Sequence, residues 1–249
     1  MHDRHLPNLG PGFWTALCFA SVFGANMGDF FAQNLGLGHA KGLPFLAIAF
    51  LLIILLERFD RLPHEFWYWA AIVVVRTAAT NLGDLLCGDF RLPRLAVSIA
   101  LALGLSGAVA LAWNAWRRAG NAGSGRKRLL LGGSANYWLC MLIAGTLGTV
   151  MGDYVAHDRH LGNALASIAL GLMLAGFFAM GRQGRMLLPA LYWSTVVMVR
   201  AAGTTVGDFL AQRDIMGLAL STAVTGAAFV LLLAIQWGRR SRFTQSGND

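Results

Sequence analysis

Four stretches of this chain align with one another without a gap. They are FWTALCFASVFGANMGDFF from residue 13, YWAAIVVVRTAATNLGDLL from 68, YWLCMLIAGTLGTVMGDYV from 137 and YWSTVVMVRAAGTTVGDFL from 192. Each opens on an aromatic-Trp pair and ends near Gly-Asp, so Trp14 and Asp29, Trp69 and Asp84, Trp138 and Asp153, and Trp193 and Asp208 share one spacing of 15 residues. The Asp-to-Asp steps are 55, 69 and 55 residues. A fixed period of this kind marks a repeated supersecondary unit, and the order of steps implies a unit doubled and then the pair doubled.

The medium follows from composition. Hydrophobic residues make up 56% of the chain and charged residues 13%, against about a quarter charged in an ordinary soluble domain. Leu43–Leu56, Leu95–Trp116 and Ile215–Trp237 carry no charge at all. One small soluble core cannot cover runs of that length. A soluble enzyme, a disordered chain and a disulfide scaffold are excluded. Eight apolar spans are read at 12–32, 42–57, 67–87, 94–116, 136–156, 161–181, 190–211 and 215–237. The expected fold is all-α: a polytopic membrane protein of eight transmembrane helices in four parallel two-helix repeats, pseudo-fourfold, in two duplicated halves. Residues 1–118 form the N-terminal half and 134–249 the C-terminal half, joined by a basic cytoplasmic linker at 119–133.

The net charge of +8 is explained by topology rather than nucleic acid. Thirteen Lys and Arg fall on the side that holds both termini, including Arg117, Arg118, Arg126, Lys127 and Arg128; five fall on the other, at Lys41, Arg91, Arg94, Arg159 and Arg213. The positive-inside rule then places both termini in the cytoplasm, in a bacterial inner membrane. No basic stretch is interleaved with stacking aromatics, so no nucleic-acid partner is expected. Cys18, Cys87 and Cys140 lack CxxC spacing and read as small buried residues. The first span carries the repeat motif, which a discarded signal peptide would not need.

Two helices per unit give every unit the same orientation, so the repeats are parallel and related by an axis along the membrane normal. The Trp residues then lie near the inner interface, where amphipathic rings concentrate. Fifteen residues at about 1.5 Å each carry the Asp roughly 22 Å further out. Four carboxylates at one depth make a ring or two pairs. Through the four Trp and four Gly-Asp pairs the chain resembles a bacterial integral-membrane family of four tandem two-helix repeats. The resemblance covers nearly the whole chain; it implies the architecture and brings no activity with it.

Helical spacing puts further polar residues on or beside the Asp face. They include Asn26, Thr80, Asn81, Thr149, Thr204 and Thr205. Inside lipid such a stripe must face protein or water. Small-xxx-small pairs (Gly24/Gly28, Ala79/Gly83, Gly148/Gly152, Gly203/Gly207) lie off that face and suit close helix packing. Arg76 and Arg200 stand eight residues before their Asp, as ion-pair partners on a neighbouring helix or as functional cations. Six of the 32 charged side chains are thus assigned to the membrane interior: four Asp and two Arg, for a net charge of −2.

An intramembrane Asp costs about 2.5–3.5 kcal/mol at mid-bilayer, and packing alone could use Asn or Thr. Function is therefore sought at the ring. The first reading is a transporter or channel for a divalent cation of the Mn, Mg or Ca type, with Asp29, Asp84, Asp153 and Asp208 as ligands, since oxygen donors suit hard ions. The alternative is a proton-coupled transporter of a small organic substrate, with Arg76 and Arg200 holding its anionic group; a further one is a membrane scaffold without transport. An enzyme is not expected. The GxGD signature of membrane aspartyl proteases fails at Asn26, Asn81, Val150 and Thr205, and no Ser-His, HExxH or P-loop pattern occurs. The partners expected are the bilayer and an ion or small substrate. No cofactor is required, though a divalent cation is a candidate bound ion.

Overall fold

The computed structural model describes residues 5–60, 62, 64–118, 134–181 and 188–245; the linker read at 119–133 lies outside the described residues. Within them the chain forms eight α-helices and no strand. These are α1 (Pro11–Asp29), α2 (Gly38–Glu57), α3 (Phe66–Asp84), α4 (Arg94–Arg118), α5 (Ala135–Asp153), α6 (Gly162–Met180), α7 (Pro189–Ala211) and α8 (Leu218–Gln245). Their starts follow local chemistry. Pro11 and Pro189 occupy the first helical turn, where a missing N–H costs nothing, and the Ser134 hydroxyl accepts the Tyr137 backbone N–H.

The odd-numbered helices form a closed inner ring. α1 packs on α3, α3 on α5, α5 on α7, and α7 back on α1. Each even helix lies outside and packs chiefly on the inner helix of the following unit: α2 on α3, α4 on α5, α6 on α7, and α8 on α1. The four repeats thus interlock like a pinwheel, and the last helix closes on the first. This is the pseudo-fourfold arrangement expected from the parallel repeat.

Glycine makes the ring possible. A Cβ at Gly24 would meet the Arg76 Cβ at 2.5 Å, one at Gly148 the Arg200 Cβ at 2.5 Å, and one at Gly203 the Ser21 Cβ at 2.6 Å. One turn on, Gly28 faces Thr80, Gly83 faces Thr149, Gly152 faces Thr204, and Gly207 faces Ala25 and Asn26. Each small-xxx-small pair therefore seats the next helix of the ring, with backbones close enough that only glycine, or the Ala79 methyl set against Gly145, fits.

Six helical spans are long and apolar enough to cross a membrane, among the described residues. α1 and α7 are not among them, because the polar positions of their inner faces lower their hydropathy. The ring needs no more from these two, since α8 and α6 cover them from outside. Burial separates the layers: 61% of the α5 span is buried, against 11% for α2, α4 and α6. The outer surface is a belt of exposed apolar side chains, such as Phe45, Leu51, Ile99, Leu103, Ile168, Leu172, Val230 and Leu231. In water a continuous surface of this kind is an aggregation liability; in lipid it is the solvent-facing side.

The aromatic-Trp pairs close the end of the ring opposite the Asp residues. Phe13, Tyr68, Tyr137 and Tyr192 are buried, and each lies against the Trp of the next unit: Phe13–Trp69 at 5.8 Å, Tyr68–Trp138 at 5.8 Å, Tyr137–Trp193 at 5.7 Å and Tyr192–Trp14 at 5.5 Å. The four Trp are therefore not anchors turned toward the lipid interface. They are buried between helices, where a large ring contributes more through packing than through its N–H. Glu57, at the end of α2, adds an acid to the six interior charges. It is buried against His5, with Oε1 2.6 Å from Nδ1; the pairing depends on where the N-terminal segment docks, which no repeat specifies.

Candidate functional site

The repeat brings its four Asp residues to one end of the inner ring. Asp29, Asp84, Asp153 and Asp208 are all partly exposed and are electrostatic neighbours, the other three all acting on Asp208. Among the described residues, no group of three or more His, Cys, Asp or Glu is placed to hold a metal ion. The carboxylates line a mouth and do not close on one ready-made site.

The local backbone changes at this end of the ring. In three units the helix widens into a π turn at the residue after the Asp: Phe30–Asn34, Leu85–Asp89 and Tyr154–Asp158. The five-residue hydrogen bonds Leu35 N–H to Phe30 O (3.1 Å), Phe90 N–H to Leu85 O (2.9 Å) and Arg159 N–H to Tyr154 O (3.0 Å) close these turns. Such turns are rare and frequent at functional sites. α7 differs, continuing as α-helix to Ala211.

One turn below the Asp lies a belt of threonines, Thr80, Thr149 and Thr204, with Ala25 in the fourth place. All three are buried. The belt is tied together by Arg200, whose Nε donates to Thr149 Oγ1 (3.0 Å), whose Nη1 donates to the Ser21 carbonyl (2.7 Å), and whose Nη2 donates to Thr80 Oγ1. From its origin on α7 this one guanidinium bonds to α5, α1 and α3, so it touches all four inner helices. Thr149 passes its own proton to the Gly145 carbonyl at 3.2 Å. Thr80 donates toward the Gly24 and Arg76 carbonyls, also at 3.2 Å. The Thr204 hydroxyl has no protein partner.

Arg76 starts at the equivalent place on α3 and goes the other way. Its Nη2 lies 3.6 Å from Met141 Sδ, a turn further from the Asp ring, and its electrostatic neighbours are Tyr137, Tyr68, Tyr192 and Cys18. Neither arginine makes an ion pair with a carboxylate among the described residues; the hydrogen bonds of Arg200 go to hydroxyls and a carbonyl. The structural ion pair considered for them is therefore absent from this arrangement.

Three residues of the polar stripe have partners outside the Arg200 network. Asn26 Nδ2 donates to Ser221 Oγ at 2.5 Å, and Thr222 donates to the Asn26 carbonyl at 3.3 Å, so Asn26 fastens α8 to α1. Asn81, at the same place on α3, faces α2, where a Cβ on Gly42 would sit 3.0 Å from its Nδ2. Thr205 donates to the backbone of its own helix, to Ala202 O at 3.1 Å. The position three before the Asp also borders the preceding inner helix, Asn26 at Gly207, Val150 at Gly83 and Thr205 at Gly152.

Two residues at the mouth were not singled out by motif. His39, at the start of α2, places Nδ1 3.1 Å from both carboxylate oxygens of Asp89, and its Nε2 is 4.0 Å from Asp84 Oδ2. Arg94, at the start of α4, bonds Asp158 at 2.6 Å and acts electrostatically on Asp153. Both stand ten residues after their own unit's Asp and reach the next unit's, a spacing present in the repeat alignment. The same place holds Asn163 and Leu218 in the other units, which carry neither an imidazole nor a guanidinium there.

A family model described as Repeat of Unknown Function (DUF347) matches residues 12–61, 136–181 and 191–242. These are the first, third and fourth units. α3 and α4 fill the second place in the ring with equivalent contacts at Ala79, Gly83, Thr80 and Asp84. No curated protein and no solved structure matches the chain.

Proposed function

The chain belongs to the family defined by that repeat, and we propose that this member is a membrane transporter whose cargo enters as a cation at the four-Asp mouth. The observation that carries the reading is the ring itself: four carboxylates, partly exposed, at one level on four helices that enclose an axis. A mouth of one sign concentrates counter-ions. The cargo is a hard divalent ion of the Mg, Mn or Ca type. Such an ion, Mg²⁺ above all, keeps several waters and needs only one or two direct carboxylates, which suits carboxylates that are neighbours without forming a closed cage. Asp29, Asp84, Asp153 and Asp208 are its ligands, and Thr80, Thr149 and Thr204 lie next along the path. Arg200 sits across that path and must swing aside, toward the ring carboxylates that act on it, for a cation to pass. This reading takes both termini to lie in the cytoplasm of a bacterial cell, with the mouth outward, from the excess of Lys and Arg on the side of the termini.

The test is flux of divalent ions into proteoliposomes, with each Asp→Asn variant beside the parent. The reading expects at least about a tenfold loss for two or more of the four, equal to about 1.4 kcal/mol in the barrier. Full flux in all four variants overturns it.

Among the described residues Arg76 has no carboxylate partner, which favours a second reading, in which a small organic anion is carried and protons move on the Asp ring. A thermal-shift screen separates the two. Stabilisation by divalent ions supports the first, and stabilisation by organic anions without any by divalents supports the second. Stabilisation by neither, with a co-purifying partner, supports a scaffold.

A further inference from the structure

We propose that the segment before α1 is a proton-held strap on the end of the ring that the aromatic residues close: one proton shared between His5 and Glu57 docks it, and a rise in pH on that side releases it. The strap lies at the opposite end from the Asp mouth and does not depend on what crosses there.

The partners of His5 fix its hydrogens. The side chain is fully buried, and both ring nitrogens meet acceptors: Nε2 lies 3.0 Å from the Leu62 carbonyl oxygen and Nδ1 lies 2.6 Å from Glu57 Oε1. A carbonyl only accepts, so Nε2 carries a hydrogen and donates it there. A neutral imidazole has a single N–H. The short contact with Glu57 therefore needs one proton more, on Nδ1 or on the Glu57 carboxyl. Without it a lone pair and a carboxylate would oppose each other at hydrogen-bond distance, where His5 is 0% and Glu57 1% exposed and water does not soften the conflict.

This polar contact fastens an otherwise apolar strap. Leu6 and Leu9 pack against the core and Pro7 is buried. α1 begins at Pro11, and Phe13 then enters the aromatic closure against Trp69. The strap thus ties the start of α1 to the end of α2. The other ionisable groups of this corner need no extra proton. The His64 ring stacks on His5 with centroids 5.8 Å apart, and its Nε2 lies 2.9 Å from Asp60 Oδ2, a contact that a neutral imidazole makes by donating. The same Asp60 oxygen accepts the Trp67 indole N–H at 2.6 Å. Glu65, just before α3, accepts the Trp69 indole N–H at 3.1 Å, and Arg58 is exposed at the end of α2. From α8, Trp237 reaches the His64 ring at 5.9 Å and brings no charge.

The proton count sets the sign. Above about pH 6.5 a solvated imidazole is neutral, so the released pair holds one proton fewer than the docked pair, and docking weakens about tenfold for each pH unit. Between about pH 4.3 and about pH 6.5 a solvated Glu is ionised and a solvated His protonated, so both states hold the same number and docking is level.

Hydrogen–deuterium exchange of the full-length protein in detergent tests this, read on the amides of Leu6, Asn8 and Leu9 and corrected for the intrinsic rate at each pH. The expected protection is level below about pH 6 and falls about tenfold per unit above about pH 7. Glu57→Gln replaces the shared proton with a permanent amide N–H that donates to Nδ1, so its protection should stay level across the range. His64→Phe keeps a stacked ring and removes the neighbouring titration; it should retain the parent's slope, and it keeps the test decisive if Glu57→Gln fails to fold. Parent protection that does not change with pH, a Glu57→Gln slope equal to the parent's, or a His64→Phe variant without the slope overturns the proposal. No ion and no flux enters the measurement, so the strap and the transport reading can fail separately.

Discussion

At Gly203 a single missing Cβ holds two helices in register, since any side chain there would overlap Ser21. The conflict is with Cβ and backbone atoms, not with the end of a flexible chain, so relief requires α7 and α1 to separate. Gly203→Ala should therefore destabilise the protein by about 1–3 kcal/mol, the usual cost of overpacking. Gly104→Ala on α4 meets nothing within 4 Å. It should be neutral or stabilising by up to about 1 kcal/mol, as removing a helix-interior glycine generally is. Denaturant titration of both variants in one detergent checks the pair, and equal losses would sink the packing argument. Asp60, in the connection between α2 and α3, is a different single-residue device. The Leu62 backbone N–H and then the Trp67 indole N–H hold its carboxyl below the usual carboxylate range. A depressed folded pKa contributes above the unfolded value and is lost as pH falls through the folded one. Acidification below about pH 4, the ordinary Asp value, should therefore release the clasp and change Trp67 fluorescence, while Asp60→Asn should flatten that titration. The two buried arginines show the limit of residue-level reading. They occupy equivalent places in the alignment, yet one guanidinium rises to the threonine belt and the other descends to the tyrosines. Side-chain rotation decides this, and no spacing encodes it.

The helix pairs divide the work by layer. Odd helices carry glycine on one side, the Asp and threonine positions on another, and tolerate low hydropathy because they are enclosed. Even helices carry an almost uniformly apolar surface and meet lipid. That division was legible, because hydropathy and repeat spacing both report it. Two features at this scale were not. A π turn depends on one extra residue per hydrogen-bonded ring, which composition does not signal, and three of the four units have one at the mouth. Which neighbour each stripe residue meets was not legible either, since a 3.6-residue helix puts positions three and four before the Asp on adjacent flanks. Only the packing shows that Asn26 and Asn81 reach the outer helices α8 and α2. The contacts of His39 and Arg94 with the next unit are also element-level features, linking an outer helix to an inner one at the mouth. The Arg94–Asp158 pair is about one-third exposed, so Arg94→Gln should cost less than about 1 kcal/mol, and less still in high salt. A larger, salt-insensitive loss would mean that Arg94 bears more than this contact.

For the molecule as a whole, the decisive contact is between its two ends. α8 lies on α1, and Ser221 and Thr225 receive the Asn26 amide there, at 2.5 and 3.4 Å. α4 lies on α5 in the same manner, so each half presents one outer helix that belongs on the other half. Co-expressed fragments 1–118 and 134–249 should therefore purify together, while either one alone should aggregate through its uncovered ring faces. Size-exclusion chromatography in detergent after single-tag purification tests this, and a stable lone half would contradict the interlock. The sequence by itself determined the medium, the helix count, the fourfold repeat, the glycine contacts and the common depth of the four Asp. All of these follow from periodicities that survive projection onto a line. Tertiary structure alone decided the order of the ring, the closure of α8 on α1, the burial of the Trp residues between helices, the parting of Arg76 from Arg200, and the pairing of Glu57 with His5. The reason is physical: a repeat specifies what each unit offers, whereas which neighbour receives it depends on how the units rotate and close in space.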